Sequence, residues 1–384
     1  MNIDRREFVW RFSRGACGAA ALAGGVFQAH RAQSWRALSA PALASPAYTV
    51  IPVVGDGHWI WTAPPAEGRG FLEPRPFSLD LGIELEGTGS AEEIISTTTA
   101  PLEFPEQKIE DVQLETDGCE AHLRELAPGA GQLVLEAAGI ERGQQIKAVA
   151  HYRLTLFKQY FGYQRDQFPE KQDPPADVRR GYLQDSPGIQ TRIKPLKDLA
   201  AELSKASKHP WDRAQAFADW TPKNIKPQMG SYTSVATALE TRRGDCEEMA
   251  GVFVALCRAV GIPARLVWIP NHTWAEFYLV DSEKQGHWIP AHTACYPWFG
   301  WNGAHELVLQ KGDRIQVAER RKQFRLLEDW IRCSGSRPRV RFTAELTPLP
   351  PTPDGDAGPG ARRKDEKGEW KVIGDHSLNK YVRR

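Results

Sequence analysis

Cys246, in RRGDCEEMAGVFVALCRAVG, and His272, in NHTWAEFYLV, are the side chains whose types and settings could do chemistry. Asp245 is a suitable N-cap, which places Cys246 on the first turn of a helix, beside unpaired backbone N–H groups that favour a thiolate. The carboxylates of Asp245, Glu247 and Glu248 oppose that ionisation, and with water screening them the two local effects nearly cancel. A thiol with a pKa of about 8.5 is only a few per cent ionised at neutral pH, so an imidazole must activate it. Alternation along His272–Leu279 puts His272, Trp274, Glu276 and Tyr278 on one strand face, and Thr273, Ala275, Phe277 and Leu279 on a greasier face that should lie on the core. His272 is then expected to look into a cleft.

The elements that must position this pair follow from the pattern. CEEMAGVFVALCRAVG reads as a helix with Cys246, Ala250, Phe253 and Cys257 on one stripe, ended by Gly261 and Pro263. KDLAAELSKA and DRAQAFADWTPKNI are helical by period, the second ending near Pro222, and ARLVWIP, TWAEFYLV and GHWIPA are strand candidates. From Tyr48 to about Phe157, short alternating runs broken by Gly, Pro and Asp predict an antiparallel β-sandwich domain over 45–165 that carries no chemistry. ERRKQFRLLEDWIR, Glu319–Arg332, reads as a charged amphipathic helix packing by Phe324, Leu327 and Trp330.

The stretch from Thr233 to Pro290 resembles the core of the transglutaminase-like superfamily: G-x-C at a helix start, then R-x-x-GIPAR, then H-x-W-x-E, then a Trp-containing strand. Weaker similarity extends back to about Tyr182. The resemblance implies an α+β fold, a papain-like domain over 180–345, with Cys246 as nucleophile and His272 as general base and acid. Such a pair would form a thioester with a peptide or protein amide, resolved by water or by an amine. The alternative is a catalytically degenerate module that binds a peptide or wall ligand. The family's third residue is commonly an Asp, and His292 stands at that position here, with Asp281 or Glu276 as substitute helpers. An imidazole there can orient its neighbour but supplies no negative charge. The backbone N–H of Cys246, and a side chain among Trp220, Tyr232 and Trp274, are the candidates for the oxyanion site and cleft wall.

No cofactor is implied. His287, His292, Cys295 and His305 are spaced H-x4-H-x2-C-x9-H, which matches no standard zinc arrangement, so no metal site is expected. In 384 residues, 49 Lys plus Arg against 48 Asp plus Glu leave a charge of +1, which disfavours a nucleic-acid partner. No apolar run of about 20 residues is present for a membrane-spanning helix. At the N-terminus, Arg5 and Arg6 before Phe8 and a Gly/Ala-rich run to Phe27 resemble a twin-arginine signal peptide over 1–44, with small residues ending at Ala42 and Ala44. That reading makes the protein periplasmic or extracellular. Loss of 1–44 would remove Cys17, leaving Cys119, Cys246, Cys257, Cys295 and Cys333, an odd number that suggests at least one thiol outside any internal disulfide. The Pro-rich and charged stretch 346–384 is expected to be a flexible tail.

Overall fold

Apolar residues alternate through the second half of the first long strand, β1 (Gly70–Glu86), where Phe77, Leu79, Leu81, Ile83 and Leu85 all point inward. The computed structural model describes residues 63–350 apart from 229 and 295–297, together with short strands at 9–11, 48–50, 59–61, 362–364 and 370–372. All but 9–11 of the expected signal peptide and most of the expected tail lie outside the described residues. After β1 come β2 (Ala91–Ala100), β3 (Gln107–Asp117), β4 (Glu120–Leu126), β5 (Ala130–Ile140) and β6 (Gln145–Tyr160). The helices follow: α1 (Ala176–Tyr182), α2 (Lys194–Leu203), α3 (Pro210–Asn224), α4 (Val235–Thr241) and α5 (Cys246–Ala259). α3 runs two residues beyond Pro222, where sequence placed its end. The chain ends its ordered course through β7 (Ala264–Ile269), β8 (His272–Val280), β9 (Gly286–Ala291), β10 (Trp301–Asn302), β11 (Gln310–Lys311), β12 (Trp330–Gly335) and β13 (Arg339–Pro348).

Two sheets result. One has β13, β1 and β6 side by side, with β3 and β10 both pairing β6. The other runs β9-β8-β7-β11-β5-β2-β12, with β4 pairing β5. Inner faces of β1, β6 and β13 meet those of β2, β5 and β12 over one apolar core, from Leu81 and Leu154 to Leu135 and Ile331. A second core lies on the other half of the long sheet, where α5 is packed against β7, β8 and β9 by Phe253, Leu266, Phe277 and Ile289, with α2, α3 and α4 closing over it.

Three expectations need correction. The two halves are not successive domains, because β11 pairs β7 on one side and meets Ala130 of β5 on the other, so one sheet runs through both. The helical half is also bracketed rather than merely followed: β12 pairs β2 and β13 pairs β1, so the expected 180–345 domain includes strands of the first core, and strand continues to Pro348 in the expected tail. Finally, Glu319–Arg332 is not a helix. Gln323 and Phe324 form a two-residue strand against Ile315 and Gln316, and Trp330–Arg332 pair with Ile95–Thr97. An open edge on β2 offers backbone partners that outweigh a modest local helical preference, while Phe324 and Leu327 still bury their apolar surface beside Ile315 and Val317.

Candidate active site

α5 begins at Cys246 because its cap is built there. The Asp245 carboxylate accepts from the Glu247 N–H at 2.8 Å, and Glu248 Oε2 accepts back from the Asp245 N–H at 3.0 Å, closing a capping box. The helix then runs about 21 Å, and its partner β7 returns about 20 Å in the opposite sense. Arg258 secures the far end, donating to the Ala264 carbonyl at 2.7 Å and pairing with buried Asp313 at 2.7 Å. A two-residue turn, with Asn271 at φ 58°, sends the chain into β8 in the register Ile269↔His272. Because helix and strand have matching lengths, Cys246 and His272 head their elements at the same end of the unit.

β8 carries Ala275, Phe277 and Leu279 toward α5, as its alternation predicts. The opposite face, where alternation points to a cleft, is buried as well, since all nine residues of β8 are buried. Trp274 is fully buried, and it stacks on His292 with ring centroids 4.7 Å apart. His292 follows β9, donates its backbone N–H to the Trp298 carbonyl at 2.8 Å, and lies with its ring 6.3 Å from that of His272. Burial holds His272 at a pKa of about 4. His292 is pushed well below the usual value by burial and by the neighbouring His272. Both rings are therefore neutral at physiological pH.

Neither proposed substitute for the missing carboxylate serves His272. Asp281 lies at the opposite end of β8, where it accepts from His287 Nε2 at 2.7 Å. Glu276 points its two oxygens at Lys311 Nζ and Arg265 Nε, each at 2.7 Å, and Lys311 also pairs with Glu106. Burial would raise the Glu276 pKa, but these two cations hold it below the usual carboxylate range. Of the oxyanion and cleft candidates, Trp220 sits on α3 under the Arg242 guanidinium, 4.9 Å away. The Tyr232 hydroxyl donates to the Gly188 carbonyl at 2.9 Å, which commits its proton elsewhere.

Glu247 and Glu248 are both buried, so water is not what moderates their charge. Glu248 Oε1 accepts from the Thr233 N–H at 2.6 Å, while Glu247 Oε2 pairs with Arg325 at 2.8 Å. Burial acts to raise the Glu248 pKa, but the hydrogen bonds win and hold it low. Arg325 escaped sequence reasoning because it stands in the stretch that read as a helix, with no spacing that ties it to Cys246. The four histidine and cysteine positions of the metal pattern disperse: His287 joins Asp281, His292 stacks on Trp274, His305 contacts the Glu73 carbonyl at 2.6 Å, and Cys295 lies outside the described residues. Cys119, Cys257 and Cys333 are thiols, and burial pushes that of Cys257 up. Among the described residues no helix is long and apolar enough to cross a membrane.

Residues 197–293 match the family model of the transglutaminase-like superfamily. A peptide-N(4)-(N-acetyl-beta-glucosaminyl)asparagine amidase of Gallus gallus is 27% identical over 179 residues, 45% of this chain and 25% of that protein. The Homo sapiens protein of the same name is 44% identical over 59 residues, 15% of this chain and 9% of that protein. The chain thus spans a quarter or less of the length of these relatives. A solved structure of a candidate cysteine protease from Cytophaga hutchinsonii superposes with a TM-score of 0.52 at 18% identity, covering 73% of this chain and 92% of that one. That likeness concerns the fold.

Proposed function

We propose that the protein is a cysteine-dependent enzyme that breaks an amide bond in a peptide or glycopeptide, with Cys246 as nucleophile and His272 as proton carrier. The observation that carries this reading is the common end at which α5 and β8 begin, each headed by one member of the pair. The amidase relatives point to the same bond type. In the proposed sequence neutral His272 takes the Cys246 proton as sulfur bonds to the amide carbonyl carbon. The C–N bond then breaks, and the proton leaves on the departing amine. Water attacks the resulting thioester, His272 again taking a proton, and returns the thiol with release of the acid.

The test is turnover of peptide and glycopeptide amides by the purified protein. Cys246→Ala should lower kcat/KM by at least about a thousandfold, with wild-type protein alone forming an adduct at residue 246 with an electrophilic peptide. Turnover that survives Cys246→Ala would overturn the assignment. The second reading, a binding module, is favoured by His292, which places a neutral ring where a carboxylate would support an imidazolium. Peptide affinity equal in wild type and Cys246→Ala, with no adduct and no turnover, would establish it instead.

A further inference from the structure

Three carboxylates crowd the first turn of α5, and two of them have local partners: Asp245 holds helix N–H groups, and Glu248 accepts from Asp245 and Thr233. Glu247, adjacent to Cys246 in the chain, is 3% exposed, and its charge is met from far away in sequence. Arg325 lies 2.8 Å from Glu247 Oε2, with its guanidinium 3.2 Å over the Tyr232 ring and 5.7 Å from the centre of the Trp268 ring. Two aromatic faces and one carboxylate fix it there. A cation so held acts at low local dielectric, where a neighbouring uncompensated carboxylate would weigh strongly against a second negative charge.

We propose that Arg325 is a positioning residue for the Cys246 thiol: by cancelling the Glu247 charge it keeps the thiolate within reach of neutral pH. The inference rests on Cys246 acting as the nucleophile, but its effect is on the thiol itself and is readable without turnover. Among the described residues, the charged and titratable groups that bear on this turn are Asp245, Glu247 and Glu248 on α5, His272 heading β8, His292 after β9, Tyr232 ahead of α4, Arg242 and Arg243 between α4 and α5, and Arg325 and Glu328, while Asp313 acts on Arg325 from its own pair with Arg258. Of these, Arg325 is the cation paired to the carboxylate of Glu247, the residue that follows Cys246 in the chain.

The test is the pH dependence of iodoacetamide alkylation at Cys246 in the full chain, read as the adduct on the Cys246 peptide by mass spectrometry. In Arg325→Gln the inflection should rise by about one unit, leaving roughly tenfold less thiolate at a given pH below it. Glu247→Gln should show no such rise. The double variant Arg325→Gln/Glu247→Gln should return to the Glu247→Gln value, which a purely structural role for Arg325 would not produce. Where Arg325→Gln alone fails to fold, Arg325→Lys, which keeps the charge, should titrate within a few tenths of wild type, and the double variant still compares with Glu247→Gln. An unchanged inflection in Arg325→Gln, or a rise that persists in the double variant, would overturn the proposal. Loss of turnover in Cys246→Ala bears only on the function; the alkylation shift bears only on Arg325.

Discussion

At the scale of single residues, the departure that matters most is His292. Its ring is stacked on Trp274, edge-on to Trp298 at 4.9 Å, and 6.3 Å from His272, so it fills a packed slot beside the imidazole that would carry protons. A carboxylate in that slot would favour a charged His272, which burial now disfavours. His292→Asp should therefore raise the His272 pKa from about 4 toward or above its ordinary value, as followed by the ring-proton shifts of His272 against pH. An unmoved titration would show that the two side chains do not communicate. Lost stacking and a buried carboxylate should together cost about 1–3 kcal/mol of stability.

At the scale of elements, sequence disclosed those whose own periodicity was sufficient and missed those made by distant partners. The Asp245 cap, the apolar stripe of α5 and the alternation of β8 are local signals, and each element formed where its residues pointed. The contacts that tie these elements together were not legible. Lys311 belongs to a two-residue strand with no period, yet its ammonium links Glu276 of β8 to Glu106 ahead of β3. Trp330 and Ile331, set in a helical-looking stretch, pair instead with β2. Breaking a buried pair leaves an uncompensated charge, and Glu276 keeps Arg265 while Glu106 does not, so Lys311→Met should destabilise the protein by about 3–5 kcal/mol in urea unfolding, and Lys311→Met/Glu106→Gln by clearly less. Equal losses in both would mean that the ammonium mainly fills space.

At the scale of the whole molecule, buried titratable groups set the response to acid. His272 and His305 each have a folded-state pKa of about 4, below the unfolded value of 6.5, with burial the first cause of both shifts. Their contribution is complete above pH 6.5 and lost as pH falls toward 4, about 3 kcal/mol apiece. Asp329 works the other way: burial lifts it from 3.8 to about 6, so the folded state gains protons and stability over the same fall in pH. The net expectation is a loss of stability between pH 6.5 and 4, read from urea midpoints, and Asp329→Asn should steepen it by removing the offset. A flat profile in that interval, or an Asp329→Asn curve no steeper than wild type, would contradict this balance.

The ladder between β1 and β13 joins residues near the start of the described chain to residues near its end, with Arg341 and Glu84 separated by 257 positions. During synthesis β1 must wait, one flank uncovered, until residues 339–348 have left the ribosome. A chain arranged in this way cannot complete its first core on the tunnel side and then add a finished helical half. Both halves therefore mature together, once residues 339–348 have emerged, and any factor that shields the waiting flank acts before Cys246 and His272 have a frame to sit in.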